Sequence, residues 1–229
     1  MSRLNGVEEI DDFSLKTGDC WDEYVPTGFP KLDAAIGGGL NTGLTILCGA
    51  DEPYKSTLLE QIATNISGSG REVLFITDRT RKMIAAKAIS RQSYLQAGEN
   101  GAFTAAELQT ENIIKHLNYT QDRLYQNSCR KASTQWANFS FFSNKNKYWI
   151  VSELEKYVQR EWLDCGYQSP VIIIDHRPMV FTEDMNDSDD IEITWQFSLA
   201  LKSMSSRLQT SVIMISSQDI PNADMILNI

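Results

Sequence analysis

The chain has 229 residues, 42% apolar and 22% charged, with 21 basic and 30 acidic side chains giving a formal charge of −9. That balance suits one large or two small globular domains with a full core, and excludes collagen-like, mucin-like and disordered classes. No run approaches the roughly 20 apolar residues of a membrane-crossing helix, and Cys20, Cys48, Cys129 and Cys165 are too scattered for a metal ribbon or disulfide framework, so a cytoplasmic protein with reduced cysteines is expected.

The N-terminal stretch is acidic: Glu8, Glu9, Asp11, Asp12, Asp19, Asp22 and Glu23 face only Arg3 and Lys16 before Pro30. Residues 1–24 are therefore read as a solvated arm ahead of a domain spanning 25–229. The apolar run 44–48 follows, and its lack of polar alternation marks a strand buried on both faces. A helix is expected over 56–67, where Leu58, Leu59, Ile62, Ala63 and Ile66 share a face and Gly68 and Gly70 stop it. After a second buried strand at 73–77, a helix is expected over 104–117, opened by Thr104 with Glu107 as a capping box. Another is expected over 151–163, opened by Ser152.

Between Lys115 and Arg160 basic residues outnumber acids, and Trp136, Phe139, Phe141 and Phe142 interleave with Lys131 and Lys145. Such a stretch can stack single-stranded bases, but core packing is the weightier reading. A third buried strand, 171–174, ends in Asp175. An acid-rich exposed loop is read over 183–192, then a helix over 193–208 and strands at 212–215 and 225–229. Strands alternating with helices make this an α/β domain with a mostly parallel sheet flanked by helices. His116 and His176 lack partners at metal-ligand spacing and are read as ordinary side chains.

The first strand-to-helix junction reads Gly49-Ala50-Asp51-Glu52-Pro53-Tyr54-Lys55-Ser56-Thr57. Gly49, Lys55 and Ser56 have the spacing of a phosphate-binding loop. There, backbone N–H groups and a helix N-terminus cradle phosphate, a Lys reaches the β/γ oxygens and a Ser or Thr binds Mg²⁺. Tyr54 replaces the second glycine, and a non-glycine held at positive φ there would cost about 1–2 kcal/mol. Asp51 and Glu52, if aimed inward at about 6 Å, would each repel a phosphate charge by roughly 3 kcal/mol at an effective dielectric near 20. From this string alone a plain strand-to-helix turn is an equal alternative. Asp175, ending another buried strand, supports the phosphate loop, because such acids hold Mg²⁺ or its water.

The runs Val25-Pro26-Thr27-Gly28-Phe29-Pro30-Lys31-Leu32-Asp33, Gly38-Gly39-Leu40 and Gly43, followed by the Gly49 loop, resemble the start of the ATPase core of DnaB-type replicative helicases. That core belongs to the broader RecA and KaiC superfamily. The likeness continues through Phe75-Ile76-Thr77-Asp78-Arg79, Asp175-His176-Arg177-Pro178-Met179, Ser216-Ser217-Gln218 and Ala223-Asp224-Met225-Ile226-Leu227. It implies a RecA-like fold in which Lys55 binds ATP phosphate, Ser56 ligates Mg²⁺ and Asp175 holds that metal through water. Asp78 would orient the attacking water and Gln218 would sense the γ-phosphate. Asp78 is one methylene shorter than the family's Glu, a displacement of about 1 Å that can lower rate on the order of 10²-fold.

The resemblance also implies missing parts. Only Asp219-Ile220-Pro221-Asn222 separates Gln218 from Ala223, too few residues for the family's DNA-contacting loop, and no arginine finger is expected after the last strand. The expectation is therefore a degenerate, ATP-binding relative with weak or no autonomous helicase activity. The alternatives are a pseudo-ATPase acting as a regulatory or partner-binding subunit, or a KaiC-like signalling ATPase. A homo-oligomer or a replication-type protein partner is anticipated, and the acidic charge disfavours single-stranded DNA.

Overall fold

A computed structural model describes residues 24–49, 52–110, 113–142, 149–175, 180–181, 190–216 and 223–228. The main sheet has six strands, β1 (Gly43–Cys48), β2 (Val73–Ile76), β3 (Phe139–Phe142), β5 (Val171–Ile174), β7 (Ser211–Ser216) and β8 (Met225–Asn228), while β4 (Trp149–Ile150) and β6 (Val180–Phe181) form a separate ribbon. Strand order is β3-β2-β5-β7-β1-β8, and every described ladder is parallel. Such a sheet needs helices on both faces.

Alternation along the strands divides the core accordingly. Leu44, Ile46, Leu74, Ile76, Ile172, Ile174, Val212 and Met214 face helices α6 (Val151–Val158) and α7 (Asp190–Leu208). Leu47, Val73, Phe75, Val171, Ile173, Ile213 and Ile215 face α2 (Glu52–Gly68), whose Leu59, Ile62, Ala63 and Ile66 fill that layer. The five strands expected from apolar runs are present. In β1, β2, β5 and β7 the residues alternate between two buried layers, whereas β8, at the sheet edge, alternates between half-buried and exposed positions.

Several elements differ from the sequence expectation. Helix α2 begins at Glu52, four residues early, because Pro53 is tolerated in a first turn where its missing N–H is not needed. The expected helix over 104–117 breaks: α4 is only Ala105–Gln109, and Thr110 caps it in an extended conformation ahead of a 3₁₀ turn at Ile113–His116. Its capping box is present, with Thr104 and Glu107 bonded reciprocally. Helix α6 ends at Val158 and widens into a π turn, Gln159–Leu163; Ile150 rather than Ser152 precedes it, with no side-chain cap. Residues 1–23 of the acidic arm, His176 and residues 182–189 of the acid-rich loop lie outside the described residues, whereas 190–192 begin α7.

Helices α1 (Pro30–Ala35), α3 (Arg81–Ala97) and α5 (Tyr119–Gln135) and the edge strand β3 were not anticipated. Helices α3 and α5 are polar along most of their length and enclose a small cluster of Ala86, Phe103 and Leu108 beyond the main sheet. Strand β3 resolves the aromatic stretch. Phe139 and Phe141 lie against Phe75 with ring centroids at 5.5 and 6.3 Å, and Trp136 stacks on Phe139 at 5.4 Å. Trp136 also donates its Nε1–H to Thr64 Oγ1 at 3.3 Å. These rings build the sheet edge.

Candidate functional site

The carboxyl ends of β1, β2, β5 and β7 converge, which is where open parallel sheets present their ligand-binding crevices. Gly49 leaves β1 with φ +147°, a conformation that favours glycine. Lys55 follows in the opening turns of α2 and is only 1% exposed. Its Nζ donates to the carbonyls of Gly49 at 2.6 Å and Ser216, the last residue of β7, at 2.8 Å. A buried ammonium needs such partners. Ser56 beside it is also buried.

Tyr54 does not strain the loop. It lies within α2 and is 73% exposed, and the sole non-glycine at positive φ among the described residues is Gln209. The expected backbone penalty is therefore absent, because early helix formation carries position 54 into the helix. Thr57 is exposed on the next helical position. Glu52 and Pro53 are placed as the first residues of α2. Ala50, Asp51 and Gln218 lie outside the described residues.

Asp175 stands at the end of β5, its side chain 1% exposed. Its backbone N–H donates to Ile76 O at 2.8 Å, and its Oδ2 accepts the Thr77 hydroxyl at 2.9 Å. Its Oδ1 is buried and, among the described residues, has no hydrogen-bond partner. A lone carboxylate oxygen costs free energy unless something fills the site. The hard oxygen donors of Asp175 and Ser56 suit Mg²⁺. Asp78 is half-buried just beyond β2.

Four residues without an assigned role complete the site. Thr77 ties the ends of β2 and β5 together and also accepts the Arg79 backbone N–H at 3.1 Å. The Arg79 guanidinium lies 3.7 Å from Asp175 Oδ2 through Nε and 2.7 Å from Glu60 Oε1 through Nη1. Lys87 of α3 donates to the same Glu60 oxygen at 3.0 Å. Burial raises the Glu60 carboxyl above its ordinary value, opposed by the Lys87 hydrogen bond and the charges of Lys87 and Arg79, with the Asp175 charge adding to the rise. In sequence, Glu60 looks like one polar position on an amphipathic helix. Its spacing of four from Ser56 was the available signal.

The family model for the DnaB-like helicase C-terminal domain matches residues 24–219. The chain belongs to that family. Among solved structures, this DnaB-like domain resembles one described as an ATPase domain, with TM-score 0.64 and 17% identity over 88% of the chain and 66% of that structure. A DnaB-like replicative helicase, described with its interactions with primase, gives TM-score 0.66 and 18% identity over 89% of the chain and 45% of that structure. At these identities the likeness establishes the RecA-like fold. The DNA repair protein RadA of Campylobacter jejuni is 31% identical over 125 residues, half of this chain and 27% of the relative, so the domain spans about a quarter of that protein's length. No helix among the described residues is long and apolar enough to cross a membrane.

Proposed function

We propose that residues 25–229 form a Mg-ATP-binding module of the DnaB-like family, behind an acidic arm at 1–24, with slow hydrolysis and no strand unwinding of its own. The observation that carries this reading is Lys55, buried at the β1–α2 junction with its ammonium held by the Gly49 and Ser216 carbonyls. On nucleotide binding that ammonium exchanges those carbonyls for β/γ-phosphate oxygens, and the α2 N-terminus and the backbone of residues 49–57 cradle the phosphates. Ser56 and Asp175 would hold Mg²⁺, which neutralises phosphate charge during transfer. Asp78 would orient water and Gln218 would sense the γ-phosphate.

Isothermal titration with Mg-ATP tests the assignment. Micromolar binding lost in Lys55→Ala is expected, whereas no binding at millimolar nucleotide would leave the second reading, a partner-binding pseudo-ATPase. One feature favours that second reading: the loop sequence carries two acids, Asp51 and Glu52, which would repel phosphate if aimed inward. The related RadA and DnaB-like proteins carry repair and replication names, and we extend them only to a homo-oligomer or a protein partner of that kind. The four residues between Gln218 and Ala223 and the charge of −9 disfavour a DNA-threading role. Retention of single strands at low salt would overturn that exclusion.

A further inference from the structure

The Arg79–Glu60–Lys87 cluster has no part in the roles assigned above, yet it abuts the acid that would face the metal. Among the described residues, the Arg79 guanidinium is held at both ends. At one end it meets Glu60 at 2.7 Å, a carboxylate 9% exposed and also held by Lys87 at 3.0 Å. At the other it meets Asp175 Oδ2 at 3.7 Å. The Arg79 backbone is tied to the same acid through Thr77, whose hydroxyl accepts the Arg79 N–H and donates to Oδ2. Among the described residues, Oδ2 therefore has a cationic and a donor neighbour while Oδ1 has no hydrogen-bond partner.

The charges have a direct consequence. With Lys55 and Asp78 counted, the described residues of the site set three cations (Lys55, Arg79, Lys87) against three carboxylates (Glu60, Asp78, Asp175) before any metal arrives. A bound polyphosphate therefore draws on the placement of the Arg79 guanidinium beside Asp175 and not on a net excess of charge. A divalent cation placed against Asp175 meets a guanidinium across the same carboxylate, and like charges at such separations repel strongly in a partly buried site.

We propose that Arg79 is a positioning residue that supplies part of the positive field a metal would otherwise supply: it commits Asp175 Oδ2, leaves Oδ1 for a hydrated cation, and makes nucleotide binding weakly dependent on Mg²⁺. This rests on the ATP-binding reading above. It concerns the division of charge between protein and metal. By linkage, the factor by which the metal changes nucleotide affinity equals the factor by which nucleotide changes metal affinity, so Arg79 acts on that factor by opposing the metal more in one of the two states than in the other.

The test is equilibrium binding of a fluorescent ATP analogue to the full chain, titrated with Mg²⁺ and repeated in EDTA, for wild type, R79M and R79K. Wild-type affinity should change by less than about tenfold between EDTA and saturating Mg²⁺, and R79M should widen that ratio at least about threefold while binding Mg²⁺ at lower concentration. R79K should return the ratio toward wild type. A wild-type ratio of about tenfold or more, or an R79M ratio equal to wild type, overturns the proposal. If R79M does not fold, as judged by circular dichroism, the wild-type ratio alone decides. Absence of binding in wild type under both conditions removes the ATP reading and this inference with it. Binding with a steep Mg²⁺ requirement removes only this one.

Discussion

Glu60 is a side chain whose surroundings act in opposite directions. Burial raises its carboxyl, while Lys87 and Arg79 lower it and the Asp175 charge raises it further. Between the ordinary carboxylate value and the raised one, the folded protein holds a proton that the unfolded chain has released. Its stabilising contribution is complete below the ordinary value and is lost as pH rises through the raised one. Urea unfolding followed as pH rises from the ordinary carboxylate value should show wild type losing stability relative to Glu60→Gln, and a difference flat with pH would remove the linkage. Gly39 makes a different demand. Its φ is +153°, and a Cβ there would lie 2.5 Å from Val25 O, inside the bridge where Val25 and Leu40 exchange backbone bonds at 2.9 and 2.8 Å. Gly39→Ala should cost about 1–3 kcal/mol in chemical denaturation; a change under about 0.5 kcal/mol would mean that the bridge yields without strain.

Helix α2 and strand β2 show what packing adds to local signals. Phe75 is fully buried between the α2 layer and the rings of Phe139 and Phe141. Phe75→Ala should lower unfolding free energy by about 3–5 kcal/mol, visible as a shifted urea midpoint. At α4, where Thr104 caps a five-residue helix, Thr104→Ala should cost about 1 kcal/mol, also by urea unfolding. Buried strands were readable in the sequence because Val, Ile and Leu occupy both faces, and the Lys55–Ser56 pair was readable from its spacing to Gly49. Helices α3 and α5 were not, because they cover a small satellite cluster and keep mostly polar faces. Strand β3 escaped because its four residues, Phe-Ser-Phe-Phe, carry no signal separating a sheet edge from a base-stacking platform. The Arg79–Glu60–Lys87 cluster was also illegible: its members come from three segments that only tertiary packing brings together.

At the scale of the whole molecule, the sheet joins residues remote in sequence. β1 lies between β7 and β8, in register with Ser211–Ser216 and Met225–Asn228. Lys55 therefore depends on a carbonyl 161 positions further along the chain. During synthesis at about 5–20 residues per second, the lysine has left the peptidyl-transferase centre for roughly 8–32 s before Ser216 is made. For that interval an ammonium destined for burial has no native acceptor from β7, and the apolar strand it follows has neither of its sheet neighbours. A message cut short just ahead of β7 would yield every described helix and four of the six main strands, yet no finished cradle for the lysine. Faithful translation of Ser211–Ser216 thus governs whether the Gly49–Ser56 motif ever becomes a site.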